Sequence, residues 1–182
     1  MKKSMIALAA LLLALSYSAI ARAQTQARAD IKGADGTSVG TAVLRESKDG
    51  VLITISVKGL PQGLHAVHIH SVGKCDGPAF TSAGPHFNPM NKKHGLKSAE
   101  GPHAGDLPDI YVNKAGLGRY EALTESIALN SGEASIFDAD GSSIVIHASP
   151  DDNMTDPSGN SGDRIACGVI AKATKKTTGN VK

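Results

Sequence analysis

The segment VLITISVK, residues 51–58, has the alternation of side chains that is typical of a β-strand. Its odd-numbered residues are Val, Ile, Ile and Val, whereas its even-numbered residues are Leu, Thr, Ser and Lys. Because successive side chains of a strand point to opposite faces, this pattern predicts a strand with one face in the core and the other towards solvent.

Seven further short runs of the same kind lie along the chain, at residues 28–32, 41–46, 64–70, 110–112, 118–126, 143–147 and 165–172. Turn sequences such as Lys48-Asp49-Gly50 and Asn130-Ser131-Gly132 separate them. The sequence contains no convincing amphipathic helix. We therefore predict an all-β domain of about eight antiparallel strands, arranged as a sandwich or a barrel.

The N-terminus has the pattern of an export signal. Lys2 and Lys3 form a basic region, residues 5–15 are apolar, and residues 21–23 form a small-residue cleavage site, with residues 19–21 as a second candidate. The apolar run is too short to span a bilayer. We predict that residues 1–23 are a signal peptide that is removed, and that residues 24–182 form a single periplasmic domain with a flexible tail at about residues 173–182.

Charge and composition narrow the classes of partner. The formal net charge is +2, but three basic residues, Lys2, Lys3 and Arg22, lie in the predicted signal peptide. Their removal leaves a charge of −1, so we expect no nucleic-acid surface, and no membrane contact once the signal is cleaved.

Aromatic residues make up only 3% of the chain. The core must therefore come from Val, Ile, Leu and Ala.

The chain has two cysteines, Cys75 and Cys167. In an exported protein, such a pair indicates a disulfide rather than two free thiols. Closing a loop of about 90 residues would stabilise the fold by roughly 4 kcal/mol in the chain-entropy model. The bond would hold one distant segment against another.

Two long segments, residues 71–109 and 148–163, lack strand periodicity and are rich in Gly, Pro, Asn and charged residues. Loops of this length in a compact domain are usually functional or disordered. The positions of the histidines favour function, because most of the histidines of the chain lie in the first segment or on the strands next to the two loops.

The predicted strand at residues 64–70 carries three histidines. His68 and His70 share one face, whereas His65 lies on the face of Val67 and Ile69. Since the apolar pair should face the core, we expect His65 to be a buried structural histidine bonded to the backbone. His68 and His70 then form a two-point metal site on the face that the loops cover.

Other histidines extend this site. His147 ends another predicted strand and is a candidate third ligand, and the first loop adds three imidazoles and one carboxylate, from His86, His94, His103 and Asp106. The loop set is sufficient for a tetrahedral zinc site. Six of the seven histidines thus fall into two ligand sets, which argues against a collection of unrelated exposed side chains.

Six strings of the sequence jointly resemble the signature segments of the copper/zinc superoxide dismutase family. In order, they are GLHAVHIH (63–70), SAGPHFNP (82–89), KKHG (92–95), HAGDLP (103–108), IVIHASPDD (144–152) and DRIACGVI (163–170). The resemblance runs from the first strand to Lys172. Cys75 follows His70 by five residues, whereas animal-type members have this cysteine where Phe80 stands here. In this respect the chain resembles the exported bacterial branch.

The resemblance implies a fold and two cofactors. The fold is a flattened, eight-stranded, antiparallel Greek-key β-barrel with two long functional loops. One copper ion per subunit would be bound by His68, His70, His86 and His147. One zinc ion per subunit would be bound by His86, His94, His103 and Asp106. His86 is shared between them.

The implied activity is the dismutation of superoxide to dioxygen and hydrogen peroxide, with His86 and Arg164 as catalytic residues. Arg164 would line the copper channel, where a guanidinium can orient a small anion. Asp151 would link a copper ligand, His68, to a zinc ligand, His94, from outside. Candidates for the lysines that attract superoxide are Lys74, Lys92 and Lys93. The resemblance is compatible with both a monomer and a homodimer.

Two other functions compete with this interpretation. A non-catalytic copper and zinc binder or metallochaperone of the same fold would need the ligands but not Arg164. A zinc hydratase or hydrolase would use the H-x-H pair and a third histidine to activate water. The second alternative leaves the loop set of three histidines and Asp106 without a role.

Overall fold

Nine β-strands and one short 3-10 helix form the regular structure of residues 25–173, the part of the chain that the computed structural model describes. The strands are β1 (Gln26–Gly33), β2 (Ser38–Ser47), β3 (Gly50–Val57), β4 (Gly63–His70), β5 (Asp106–Val112), β6 (Gly118–Thr124), β7 (Ser143–His147), β8 (Arg164–Val169) and β9 (Ala171–Lys172). The 3-10 helix is Thr81–Ala83. The predicted signal peptide, and all but the first residue of the predicted tail, lie outside the described residues. Among the described residues, no helix is long and apolar enough to cross a membrane.

The strands form one antiparallel sheet that closes on itself. Its order is β2-β3-β6-β5-β4-β7-β8-β1, and pairing of β1 with β2 completes the barrel. The connections from β3 to β4 and from β6 to β7 each pass over two strands, which is the Greek-key arrangement. The prediction of an all-β, eight-stranded antiparallel barrel is confirmed, with β9 as a short ninth strand that pairs with β1.

The inside of the barrel is filled almost entirely by aliphatic side chains. On β3 the odd-numbered residues of the opening segment, Val51, Ile53, Ile55 and Val57, are buried. Equivalent alternation on β1 and β2 adds Ile31 and Leu44 to the same core. A tightly packed aliphatic interior gives the loops a rigid platform.

Most strand boundaries lie within three residues of the prediction, and the two larger differences are at β5 and at the last predicted strand. Strand β5 begins at Asp106, four residues before the predicted start, because pairing with β4 places Leu107 opposite Val67 and Asp106 opposite His68. Pro108 hides this extension in the sequence, since proline disfavours strands. The predicted strand at residues 165–172 is divided into β8 and β9 at Ile170, although the Ile170 N–H still donates in register with β7 to the Ser142 carbonyl at 3.0 Å.

A disulfide between Cys75 and Cys167 joins the first long loop to β8, as predicted. Their Cα atoms are 5.7 Å apart although 92 positions separate them in sequence. Phe80, Ala83 and Val145 pack with Cys167 into a small apolar cluster below the loop. The loop is therefore fixed to the barrel close to Arg164, the first residue of β8.

Candidate metal centre

Strands β4 and β7 and the first loop bring four imidazoles together. His68 and His70 come from β4, His147 ends β7, and a bridge pairs the backbone of His86 with that of His70. One ligand nitrogen from each ring lies within 4.8 Å of the others, and all four rings are buried. We call this group the four-histidine cluster.

One nitrogen of each ring in the four-histidine cluster lacks a hydrogen-bond partner among the described residues. These nitrogens are His68 Nδ1, His70 Nε2, His86 Nε2 and His147 Nε2. Buried polar atoms are almost always paired, because an unpaired one loses its water without compensation. Four converging nitrogens with free lone pairs therefore fit a bound transition-metal cation.

A second group, which we call the mixed cluster, consists of His86, His94, His103 and Asp106. The Oδ1 atom of Asp106 lies 2.9 Å from His86 Nδ1, 3.1 Å from His94 Nδ1 and 3.3 Å from His103 Nδ1. A tetrahedral zinc site with bonds of about 2.0–2.1 Å has ligand–ligand edges of about 3.3 Å. The donor atoms and their spacing fit zinc.

His86 belongs to both clusters. Its Nδ1 atom lies in the mixed cluster, whereas its Nε2 atom is one of the unpaired nitrogens of the four-histidine cluster. The ring centroids of His86 and His68 are 3.9 Å apart, and those of His86 and His94 are 5.2 Å apart. A single imidazole thus separates the two clusters.

Asp151 contacts both clusters from outside. Its Oδ2 accepts a hydrogen bond from His68 Nε2 at 2.7 Å, and its Oδ1 accepts one from His94 Nε2 at 3.0 Å. Both bonds use Nε2, so the Nδ1 atom of His68 and that of His94 are left facing their clusters. The Asp151 backbone N–H donates to Asp109 of β5 at 3.1 Å, which anchors the second loop to the barrel.

Burial keeps three histidines of the four-histidine cluster, His68, His70 and His147, neutral. It lowers the pKa of His70 to about 2, that of His147 to about 3 and that of His68 to about 4. The nearby Arg164 charge adds to this effect at His70 and His147. Neutral imidazoles are the form that binds metal.

The two buried carboxylates remain ionised. Burial by itself would raise their pKa values, but hydrogen bonds from His86 and His94 hold the pKa of Asp106 well below its usual range. Hydrogen bonds from His68 and His94 do the same for Asp151. Burial disfavours the charged form of His94, yet the two carboxylates raise its pKa to about 9. The Asp106 carboxylate, with the Asp151 carboxylate on the far side of His94, thus gives the mixed cluster surroundings that favour a cation.

Arg164 is connected to the four-histidine cluster through the first loop. Its guanidinium donates to the carbonyl oxygens of Phe80 at 2.7 Å and Gly84 at 2.8 Å. The Gly84 carbonyl also accepts a hydrogen bond from His70 Nδ1 at 2.8 Å. The guanidinium is therefore held in a fixed orientation, and it shares the Gly84 carbonyl with the His70 ring.

His65 is buried and bonded to the backbone, as predicted. Its Nδ1 atom lies 2.8 Å from the His147 carbonyl oxygen, and its Nε2 atom lies 2.9 Å from the Pro61 carbonyl oxygen. The ring thus joins β4 to His147, the last residue of β7, after which the second loop begins. Its role is structural.

The candidate lysines differ in position. Lys92 and Lys93 line a groove of about 580 Å³ that reaches His86 and His103, whereas Lys74 is not among the lining residues of that groove. Lys93 also pairs with Asp156 at 3.2 Å. The groove further contains Glu133 and Asp138 on its walls, so its charge is mixed.

Three residues near the clusters were missed by the sequence analysis. Asp156 accepts a hydrogen bond from the His94 backbone N–H at 2.8 Å. Gly159, with φ of +63°, packs against the Asp151 carboxylate so closely that a Cβ would overlap it. Ser161 contacts His147. Only the glycine-rich character of the second loop hinted at such a close approach.

Comparisons with known proteins agree with this geometry. The copper/zinc superoxide dismutase family model matches residues 38–170. A copper–zinc superoxide dismutase of Aquifex aeolicus is 48% identical over 147 residues, covering 80% of this chain and 86% of the relative. One of Caulobacter vibrioides is 43% identical over 147 residues, covering 79% of this chain and 84% of the relative.

Solved structures show the same fold. A double mutant of a superoxide dismutase-like protein from Bacillus subtilis is 42% identical, with a TM-score of 0.75, and the match covers 78% of this chain and 94% of that chain. The clock protein EA4 is 31% identical, with a TM-score of 0.70, and the match covers 82% of this chain and 96% of that chain. The barrel therefore also occurs in a protein named for a different role.

The barrel and its two adjoining clusters define a Greek-key metalloprotein with a histidine shared between its ligand sets. Together with the comparisons, they show that the chain belongs to the copper/zinc superoxide dismutase family. It is an oxidoreductase that acts on superoxide, and its cofactors are copper and zinc.

Proposed function

We propose that the protein removes superoxide in the periplasm with a copper ion and a zinc ion that share His86. The copper ligands are His68, His70, His86 and His147, and the zinc ligands are His86, His94, His103 and Asp106. The observation that carries this proposal is the position of the two His86 ring nitrogens, one in each buried cluster.

The chemistry of the donor sets supports this division of the metals. Four imidazoles suit both oxidation states of copper, whereas three imidazoles and a carboxylate suit zinc, which has no redox chemistry. When bound, copper supplies the one-electron oxidation and reduction that the two halves of the dismutation require. The four-histidine cluster is therefore the redox site, and the mixed cluster supports it.

His86 provides a proton site in this arrangement. With both metals bound, His86 would be held as an imidazolate, a charge that flanking dications stabilise. Its Nε2 atom, on the side of the four-histidine cluster, would be the position that holds a proton and gives it to the peroxide product, while Nδ1 stays in the mixed cluster.

The direct test is superoxide decay. Residues 24–182, loaded with copper and zinc, should remove superoxide catalytically. A decay rate equal to that of protein-free buffer would contradict the proposed function. Metal analysis of the same sample would show that both sites were filled.

Periplasmic location rests on two supports. Residues 1–23 have the pattern of a signal peptide. The Cys75–Cys167 disulfide is of a kind that persists in oxidising compartments. Expression of the full chain in a bacterium, followed by fractionation and mass spectrometry of its N-terminus, tests this location. Recovery of the uncleaved chain in the cytoplasm would contradict it.

Replacing Arg164 with alanine should lower kcat/KM for superoxide roughly tenfold, because the local positive charge that attracts and orients the anion is lost. Arg164→Lys should recover part of the rate, since it restores the positive charge but not the two hydrogen bonds from the guanidinium to the Phe80 and Gly84 carbonyls. Stopped-flow superoxide decay at several ionic strengths measures both variants. Unchanged kcat/KM in Arg164→Ala, with full copper content, would rule out this role.

Replacing Asp151 with alanine should weaken copper and zinc binding together, each by roughly 10–100-fold, because His68 and His94 lose the partner that orients them. Asp152→Asn is the matched control. Within residues 25–173, the Asp152 carboxylate accepts hydrogen bonds only from its own loop, from Met154, Thr155 and Asn160. Chelator competition for each metal measures the effect. Equal losses in both variants would show that general loop damage, not ring orientation, is responsible.

A further inference from the structure

The side of His147 that faces away from the four-histidine cluster contacts a buried hydroxyl group. We propose that Ser161 is a positioning residue that sets the orientation and donor strength of His147 towards copper. This inference rests on the proposed assignment of His147 as a copper ligand. It concerns a residue outside both ligand sets, in the second long loop.

Ser161 is completely buried, and its Oγ lies 3.2 Å from His147 Nδ1. The same Oγ lies 2.8 Å from the Ser158 carbonyl oxygen, to which its hydroxyl donates. This donation leaves an oxygen lone pair directed at His147. The Gly162 carbonyl oxygen also lies 3.2 Å from His147 Nδ1.

These contacts determine where the His147 ring carries its proton. A carbonyl oxygen can only accept, so the Gly162 contact requires a hydrogen on Nδ1. With its own hydroxyl hydrogen committed to Ser158, Ser161 is a second acceptor for that N–H group. The ring is thus the tautomer with its lone pair on Nε2, the nitrogen that lacks a partner among the described residues.

The position of Ser161 is itself well fixed. Its carbonyl accepts from the Ser149 N–H at 2.9 Å, and the Ala148 N–H donates to the Asp163 carbonyl at 2.8 Å. These bonds pair the two ends of the second loop next to β7. The backbone of Ser161 is therefore held in place, and rotation of its side chain away from His147 would break the hydrogen bond from Oγ to the Ser158 carbonyl.

Ser161 completes a set of outer contacts around the four-histidine cluster. His68 donates to the Asp151 carboxylate, His70 to the Gly84 carbonyl, and His86 faces the mixed cluster. His147 has neither a carboxylate nor a second metal site behind it. Two neutral oxygen acceptors on one N–H supply its orientation and raise the electron density of the ring.

Removal of one acceptor should make His147 Nε2 a weaker donor. Cu(II) is more sensitive to donor strength than Cu(I), so its binding should weaken more. In Ser161→Ala we expect Cu(II) affinity to fall about tenfold. If Cu(I) affinity is unchanged, this loss corresponds to a rise of about 59 mV in reduction potential, since one tenfold step equals 59 mV for one electron.

The experiment uses residues 24–182 loaded with copper and zinc. Chelator competition gives Cu(II) and zinc affinities, electron paramagnetic resonance reports the Cu(II) geometry, and redox titration gives the potential. Ser161→Ala should change all the copper readouts and leave zinc affinity unchanged. Ser158→Ala is the control, because it keeps the backbone carbonyl that Ser161 binds, and it should match the wild type.

The outcomes separate this inference from the proposed function. A wild-type protein that binds no copper would contradict the proposed function. Wild-type copper binding with the same spectrum, affinity and potential in Ser161→Ala would overturn the role of Ser161. Ser161→Thr, which keeps the hydroxyl, should retain the wild-type spectrum; an alanine-like spectrum there would also overturn it.

Discussion

Replacement of His147 with alanine is expected to abolish copper binding and dismutase activity while zinc stays bound. His147 offers one nitrogen to the four-histidine cluster and none to the mixed cluster. Loss of a ligand should cost more than the roughly 10–100-fold that loss of an outer hydrogen-bond partner costs. Metal analysis after dialysis, combined with superoxide decay, measures both effects on one sample.

His103→Ala is the reciprocal control for this prediction. His103 belongs only to the mixed cluster, so this variant should lose zinc and keep copper. The two variants together test the division of the ligands. Loss of both metals from His147→Ala, or activity retained there without copper, would contradict the assignment.

The largest effect on stability is expected from removal of the disulfide, in the double variant Cys75→Ala with Cys167→Ala. The bond closes a loop of 92 residues. The chain-entropy model gives a loss of about 4–5 kcal/mol in the free energy of unfolding, since the unfolded chain gains freedom. For a domain of this size, that loss lowers Tm by roughly 8–20 °C.

Thermal unfolding of metal-free protein measures this loss without the added stabilisation that bound metals give. Chemical reduction of the wild-type disulfide is the control and should give a similar Tm. We also expect reduced activity, because the loop that the bond holds carries the Phe80 and Gly84 carbonyls that orient Arg164. A loss below about 1 kcal/mol would show that the bond mainly orients the loop.

Strand positions could be predicted where side chains alternate. The segment at residues 51–58 specified β3 because its pattern depends only on which face each residue occupies. The start of β5 could not be predicted, because Asp106 and Leu107 join the strand through pairing with β4 rather than through their own preference.

The histidine pattern at His65, His68 and His70 was readable because strand geometry sets their faces locally. Residue type and position made the remaining ligands candidates, but their division between two metals came from motifs that resemble a family, since no local rule brings His86 next to His147. Barrel closure and loop paths bring these rings together. The shared position of His86 is likewise a property of the folded chain.

The sequence alone therefore determined the β-architecture, the two cysteines available for pairing and the types of residue that bind the metals. Alternation, composition and motif are local properties of a chain. Only the tertiary structure decided which groups stand behind those ligands, such as Ser161 behind His147 and Asp156 beside His94. A hydrogen bond requires two atoms to be about 3 Å apart, and for residues distant in sequence that distance is set by strand register and loop path.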